Sequence, residues 1–558
     1  MSGFILGLNG WLTRSHDASA CIVRDGQVIA MVEEERFVRQ KHAYDRLPIR
    51  SALWCLKKVN LTLDEIDKVA VGWDFRELYK GSGIREPRLR NLVEVYFPKK
   101  FFNYKKKPKI ELVSHHLAHA ASSFFLSGMG EASILVVDGQ GEKTSTTFAL
   151  GRGNKIKILW SLPIESSLGY FYEAVSNFIG FGLDAPGKTM GLASYGEDKF
   201  PFKQFKLNNN GLKVDIDFPL ENKSLDQQRR IVEGWEKEFI QFFGISREIT
   251  YKFDDLYGDV FKSVEITEIK KNIAASAQNQ LAEILVHCVK ILVERTKIHN
   301  LCLAGGVALN CLANTQIKKS LDIDNLFIPP FANDAGVSIG AALLIGEKKS
   351  TTVLDHVYLG PSYDDSEIKA IIDKIGCKYT SCNDIEEKVS SLLVQGKIVS
   401  WFQGSMEVGP RALGNRSILA DPTLISTHRK VNDAKNREHW RPLAPSILAG
   451  KAGEYLEDAF ESPFMLHTFN VLPSKQKKVP AIVHVDGSTR PQTVSEKINP
   501  RYHKLINRFE KLSGVPLILN TSFNGAREAI VCTPFDALAS FFSNSTDCLA
   551  VGNFLIEK

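Results

Sequence analysis

The run Ser114-His115-His116-Leu117-Ala118-His119-Ala120-Ala121 holds the clearest chemistry in this sequence. Its small apolar residues read as the start of a helix, and imidazoles four apart on a helix share a face, so His115 and His119 can grip one metal ion. Asp138 ends the strand-like run Ile134 to Val137, at the carboxyl end where carboxylates often converge on a site, and Asn333-Asp334-Ala335-Gly336 opens a further helix. Two imidazoles with the carboxylates of Asp138 and Asp334 suit a borderline ion such as iron, zinc or manganese. Position 116 is His where the HExxH motif of metalloproteases has Glu, so the general base of that chemistry is missing.

Three glycine-bearing turns accompany these residues: Asp138-Gly139-Gln140-Gly141-Glu142, Ser167-Leu168-Gly169 ahead of a helix containing Glu173, and Ala304-Gly305-Gly306-Val307-Ala308-Leu309-Asn310 after a strand. Glycine lets a backbone approach phosphate or adenine closely, and helix N-termini favour anions. One such turn is ordinary, whereas three in one cleft would make a nucleotide pocket. The second half carries arginine in motif-like runs: Gly409-Pro410-Arg411-Ala412-Leu413-Gly414-Asn415-Arg416, Lys435-Asn436-Arg437-Glu438 with Arg441-Pro442, and Asp486-Gly487-Ser488-Thr489-Arg490. Guanidinium groups bind phosphate oxygens bidentately, so several beside glycine turns suggest a polyphosphate pocket, although a salt-bridged surface position is the plainer reading of any one alone. Leu519-Asn520-Thr521-Ser522-Phe523-Asn524 sets amides and a hydroxyl at a strand end, where they could hold a ribose or a carbamoyl group.

These groups need strands and helices to bring them together. The first 40 residues read as strands at Phe4 to Leu8, Ala18 to Val23 and Val28 to Glu33, with an Asp25-Gly26 hairpin turn. The pattern returns at Ile134 to Val137, Ser145 to Leu150 and Ile156 to Leu162, which suggests an internal duplication. By analogy, the duplicated actin and sugar-kinase superfold holds a nucleotide phosphate between paired turns of this kind. A helical stripe from Ile269 to Thr296, with Ile273, Ala277, Leu281, Ile284, Leu285 and Cys288 on one side, is suited to packing on a sheet and leads into a strand at Leu301 to Leu303.

A chain of 558 residues folds as two or three domains, and the charged, aperiodic segment Gly346-Glu347-Lys348-Lys349-Ser350-Thr351-Thr352 is the best linker. Hydrophobic residues at 44% and charged residues at 24% exclude collagenous, coiled-coil and wholly disordered classes. A net charge of +6 is small for two domains and leaves no nucleic-acid footprint. The basic stretch from Lys99 to Lys109 reads as a solvated loop. Nine scattered cysteines without CxxC read as reduced thiols. Neither a signal peptide nor a run of roughly 18 apolar residues is present, so the expectation is a cytoplasmic protein without a membrane partner.

The sequence resembles the O-carbamoyltransferase family that includes nodulation-factor, cephamycin and aminoglycoside carbamoyltransferases. The likeness rests on His16-Asp17-Ala18-Ser19, Glu33-Glu34-Glu35-Arg36-Phe37, His115 to Ala120, Pro186-Gly187-Lys188-Thr189-Met190-Gly191, Gly305 to Asn310, Gly409 to Arg416 and Asn520 to Asn524. It implies an α/β protein with a duplicated actin/sugar-kinase-like domain at 1–350 and a YrdC-like α/β domain at 351–558. The second would condense carbamoyl phosphate with ATP, with or without magnesium, into carbamoyladenylate. Arg411, Lys435, Arg441 and Arg490 would neutralise the phosphates there, with Asn520 and Ser522 on the carbamoyl or ribose end. The first would hold a metal, iron first among the alternatives, on His115, His119, Asp138 and Asp334. Gly139, Gly169, Glu173, Gly305, Gly306 and Asn310 would cradle the adenylate while its carbamoyl group passes to a hydroxyl of a small molecule, such as a sugar or a precursor of an antibiotic or other secondary metabolite.

His16 follows the first strand, on the expected far side of the cleft, and an imidazole of near-neutral pKa suits removal of the acceptor proton. A turn histidine bonded to Asp17 is the plainer alternative. The family pattern is broken at Arg527 and Ala529, where glycine and proline are common, which bears on local loop shape. Two rival readings share the fold: a fused tRNA threonylcarbamoyladenosine synthase, which would need an RNA surface, and an idle metal- and nucleotide-binding regulator. Loops such as Phe75 to Lys109 and Phe200 to Asp255 would choose the acceptor. Sequence leaves the oligomeric state open.

Overall fold

The computed structural model describes residues 3–11, 15–80, 89–218, 227–244, 264–349 and 353–558. Parts of both acceptor-loop candidates and residues 350–352 of the linker lie outside them. The chain divides into two compact units, Met1–Asn9 with Val23–Gln27 and Leu61–Val353, and Gly10–Ile22 with Val28–Asn60 and Leu354–Lys558. Two early segments thus group with the C-terminal half, although the sequence reading set them within 1–350.

Strands β1 (Phe4–Asn9), β2 (Ser19–Arg24), β3 (Gln27–Glu33), β4 (Lys68–Val71) and β5 (Ile110–Leu112) form a sheet in the order β3-β2-β1-β4-β5. The hairpin turn uses φ 51° at Asp25 and 83° at Gly26, the double left-handed geometry that Asp-Gly favours. Next come β6 (Glu131–Val137), β7 (Thr144–Arg152), β8 (Lys155–Pro163), the short hairpin β9 (Phe205–Asn208) and β10 (Gly211–Val214), then β11 (Asn300–Ala304) and β12 (Asn325–Phe327). The second large sheet runs β12-β11-β6-β7-β8, so a three-strand meander is again extended by two parallel strands on the side of its first strand. This is the duplicated α/β arrangement of the actin and sugar-kinase superfold, and the two meanders legible in the sequence are its repeats.

Burial explains the patterns. Beyond Glu131 every residue of β6 is buried, as in a central strand covered on both faces. The Glu268–Thr296 helix buries the anticipated stripe of Ile273, Ala277, Leu281, Ile284, Leu285 and Cys288. The His115–Phe124 helix packs on the Val337–Ile345 helix so closely that a Cβ on Gly340 would stand 1.7 Å from the carbonyl oxygen of Ala118. That approach needs glycine.

The second unit is built on a mixed sheet of eight strands: β13 (Thr380–Ser381), β14 (Val399–Phe402), β15 (Arg416–Ala420), β16 (Ala444–Leu448), β19 (Gln492–Val494), β20 (Leu517–Ser522), β21 (Cys548–Val551) and β22 (Phe554–Glu557). A two-stranded ribbon, β17 (Phe469–Asn470) with β18 (Ser488–Thr489), accompanies it. The order is β13-β22-β21-β14-β15-β20-β16-β19, an α/β unit where the YrdC-like domain is expected. Helix Pro500–Ser513 is tied to helix Ile385–Val394 by Arg501 and Lys504 on Glu386, and its Arg508 pairs with Asp384, that helix's N-cap.

Candidate active sites

In the first unit, Nε2 of His115 and His119 stand 3.2 Å apart. Asp138 Oδ2 lies 3.4 and 3.6 Å from them, and Asp334 Oδ1 lies 3.5 Å from each. Donor atoms bound at about 2.0 to 2.2 Å around a tetrahedral ion stand roughly 3.3 to 3.6 Å apart, so these five spacings are close to those around such an ion. The supporting bonds fit as well. His115 Nδ1 faces the carbonyl oxygen of Gly72 at 3.1 Å, which directs the Nε2 lone pair inward, and the amide of Gly306 donates to Asp138 Oδ1 at 2.9 Å, leaving Oδ2 for the centre. Trp73 stacks on His115 with ring centroids 3.9 Å apart.

Burial alone would strip protons from these imidazoles, yet Asp334 and Asp138 outweigh it, pushing His115 up to about 10 and raising His119. Burial would likewise neutralise Asp138, and the two histidines hold it well below the carboxylate range. The intervening His116 is different. Burial pushes it down to about 3, and its Nδ1 meets Thr147 Oγ1 at 2.8 Å, so it packs as a neutral ring behind the cluster.

The three glycine turns meet at Asp138. A Cβ on Gly169 would lie 2.8 Å from the amide nitrogen of Gly139. Gly305, at φ 89°, would drive a Cβ to 2.2 Å from the carbonyl oxygen of Val137, and Gly306 supplies the amide on Asp138. Close packing of backbone on backbone therefore already demands these glycines. Glu173 accepts from Gln228 at 2.8 Å. Asn310 caps the Cys311–Ser320 helix and exchanges two bonds with Gln278, an internal role for its amide.

The second unit gathers the basic residues. Lys435, just past the Ile425–Ala434 helix, is buried among neutral oxygens and donates to Ser522 Oγ at 3.3 Å and Asn524 Oδ1 at 2.7 Å. Burial, with the charges of Arg437 and Arg441, drives its ammonium well below the lysine range. Arg437 falls to about 9 for the same reasons, with Arg490 adding to the repulsion, and burial also lowers Arg441, which has Glu438 at 3.7 Å. Arg490 makes no hydrogen bond or ion pair among the described residues. Such crowded cations favour an anion between them.

Alternation along β20 sets Asn520 and Ser522 on one side. The Asn520 amide donates to Ser446 Oγ at 2.9 Å and to the carbonyl of Ala412 at 3.2 Å, while its buried Oδ1 has no hydrogen-bond partner among the described residues. An N–H donor on a ligand would satisfy it.

Arg411 is half-buried on the 409–415 loop, which Glu407 shapes by accepting from the amides of Leu413, Asn415 and Arg416. Arg416, at the end of the same run, is fully buried. It donates to the carbonyls of Gln403, Asn415 and Pro361 and lies 3.6 Å over the Phe402 ring, which makes it a structural cation. Arg437, in the run Lys435 to Glu438, joins the group of Lys435 and Arg441 through space. Lys41, whose charge also reaches Lys435, and Arg39, which donates to the carbonyls of Ile530 and Ala529, lie hundreds of residues away in sequence and carry no local signal. Arg527 stands at φ 61°, so the loop keeps the left-handed turn that glycine favours. His16 is half-exposed, its Nδ1 3.1 Å from Asp17 Oδ2.

Other expectations can be checked directly. All nine cysteines are free, and no described helix is long and apolar enough to cross a membrane. In the basic stretch Lys107 pairs with Glu94, Lys109 with Glu111, and Lys99 lies over Tyr104.

The "Carbamoyltransferase N-terminus" family model matches residues 5–343 and "Carbamoyltransferase C-terminus" matches 390–558. Nodulation protein NolNO of Sinorhizobium fredii is 35% identical, covering 99% of this chain and 82% of that one. Nodulation protein NolO of Bradyrhizobium diazoefficiens is also 35% identical, over 80% of this chain and 79% of its own length. The uncharacterized protein sll1178 of Synechocystis is 34% identical over 99% of this chain and 96% of that one. Matched along both halves and by full-length relatives, this chain belongs to the carbamoyltransferase family and is a carbamoyltransferase.

Proposed function

We propose an ATP-dependent O-carbamoyltransferase that divides its work between two sites. In the unit holding Lys435, water cleaves carbamoyl phosphate to carbamate and phosphate, and a carbamate oxygen then attacks the α-phosphate of ATP, giving carbamoyladenylate and releasing pyrophosphate. The observation that carries this reading is the group of buried Lys435 with half-buried Arg437, Arg441 and Arg490, basic side chains close enough for their charges to act on one another, together with Asn520 Oδ1, which has no hydrogen-bond partner among the described residues. The cations neutralise phosphoryl oxygens, Arg411 approaching from its loop, while Asn520 accepts from the carbamoyl amide and Ser522 orients the ribose or carbamoyl oxygen.

Carbamoyl transfer belongs to the unit holding His115, His119, Asp138 and Asp334. An ion held there, iron before zinc or manganese, supplies positive charge for the adenylate phosphate. Gly139, Gly169, Gly305 and Gly306 keep backbone amides close to that position, with Glu173 and Asn310 at its edge. His16 takes the proton of a small-molecule hydroxyl, the oxygen attacks the carbamoyl carbon, and AMP leaves. A mixed anhydride hydrolyses readily, which favours making and using it within one cytoplasmic protein. The paired lysines of the 99–109 stretch support a small-molecule acceptor over RNA.

Paired variants test the division. His119→Ala should abolish transfer while carbamoyl-phosphate-dependent pyrophosphate release continues, and Arg490→Ala should nearly stop that release yet still transfer from supplied carbamoyladenylate. Loss of both activities in either folded variant would overturn the assignment.

A further inference from the structure

The segment around residues 39–45 is the most contorted in the described chain. Arg39, His42, Ala43 and Asp45 have φ of 59°, 65°, 42° and 53°, and Asp17, bonded to this segment, has φ 53°. Each such residue costs about 1 to 2 kcal/mol and persists only where its surroundings over-determine it. Here the Asp17 amide donates to the His42 carbonyl at 2.6 Å, the Asp45 amide to the Ser15 carbonyl at 3.0 Å, and the His42 amide to Glu35 Oε2 at 2.7 Å.

This lacing places one buried carboxylate between two imidazoles. Asp17 Oδ1 lies 2.8 Å from His42 Nδ1 and Oδ2 lies 3.1 Å from His16 Nδ1. Tyr44 flanks both rings, at centroid distances of 6.3 Å from His16 and 5.7 Å from His42. Asp17, Glu35 and His42 also bring ligand-type atoms within 4.8 Å of one another. Glu35, however, already accepts the His42 amide and pairs with Arg36 at 3.3 Å, which favours a hydrogen-bonded relay over an ion.

We propose that Asp17 is a positioning residue and His42 its anchor: His42 occupies Oδ1, so that Oδ2 holds His16 as the Nδ1–H tautomer with the lone pair on Nε2. The inference rests on the reading of His16 as the base. In the transfer step the acceptor O–H bond breaks, its proton goes to His16 Nε2, the freed oxygen bonds to the carbamoyl carbon, and the bond from that carbon to the AMP phosphate oxygen breaks.

The test uses the full-length protein labelled with 15N-histidine, with tautomers read from two-bond proton–nitrogen correlations and His16 assigned by its loss in His16→Asn. Asparagine tolerates the left-handed backbone at positions 17 and 42, so Asp17→Asn and His42→Asn keep the fold. In the wild type His16 should be Nδ1–H. Asp17→Asn should lose that pattern and slow single-turnover transfer by about 10-fold to 100-fold, the usual cost of removing an orienting partner, with His42→Asn shifting both readouts in the same direction. A His16 tautomer unchanged in Asp17→Asn would overturn the positioning role. An unchanged tautomer in His42→Asn would overturn the anchor. If the tautomers shift as expected but His16→Asn transfers at the wild-type rate, the base assignment fails and the Asp17 contact stands as structure alone.

Discussion

At the scale of single residues, the cluster of His115, His119, Asp138 and Asp334, the candidate metal site, binds protons. The carboxylates of Asp334 and Asp138 overcome burial and push His115 up to about 10, so at neutral pH an incoming ion must displace a proton. Because the raised value means the proton is held until high pH, apparent metal affinity should rise steadily from pH 6 to 9 and fall on acidification. Chelator competition across that range measures it, and a flat profile would contradict the geometry of the four ligands. His115 and His119 could be read from spacing because a helix converts four residues into one face. His116 shows the limit of that rule: only the environment of Thr147 and the cluster decides that the middle imidazole stays neutral and outside the ligand set. Arg416 is the same lesson among cations, since main-chain carbonyls close around a guanidinium that its motif offers to phosphate.

At the scale of elements, two contacts set the sites. The His115–Phe124 and Val337–Ile345 helices meet backbone to backbone at Gly340, which brings the two histidines toward Asp334 at the start of the second helix. Gly340→Ala leaves no flexible side chain to move, since the obstruction is the Ala118 carbonyl. It should cost on the order of 3 kcal/mol in stability and weaken metal binding, as read by denaturant unfolding and metal titration. In the second unit, Glu407 holds three amides of the 409–416 segment with one oxygen, and buried Arg36 and Arg416 feel its charge. Glu407→Gln removes that charge between buried cations and should cost about 3 kcal/mol. Pyrophosphate release should fall more than metal binding, because Asn520 leans on this loop through Ala412. Strand periodicity and the Asp25-Gly26 turn made the meanders legible, whereas neither local pattern nor composition marks Glu407 as the organiser of a loop.

At the scale of the whole molecule, the proposed division of two chemistries within one chain makes a distinct prediction. If carbamoyladenylate is passed on without release, mixing His119→Ala with Arg490→Ala should restore far less transfer than wild type at equal concentration, and added phosphodiesterase should leave wild-type turnover intact. Full complementation would mean that the intermediate diffuses freely. The strands of the two meanders, their duplication, the histidine pair and the family likeness all follow from the sequence, because periodicity and short spacing are local properties that survive without a fold. Tertiary structure alone decided the distances within the group of His115, His119, Asp138 and Asp334, and which remote residues join the basic cluster. Asp138 and Asp334 are almost 200 positions apart yet flank the same two imidazoles, Lys41 reaches the field of Lys435, and Arg39 holds the Ala529 and Ile530 carbonyls. The physical reason is that a charge or hydrogen bond acts over a few ångströms of space, whatever the length of chain between its partners, and only the packed sheets and helices turn sequence separation into that proximity.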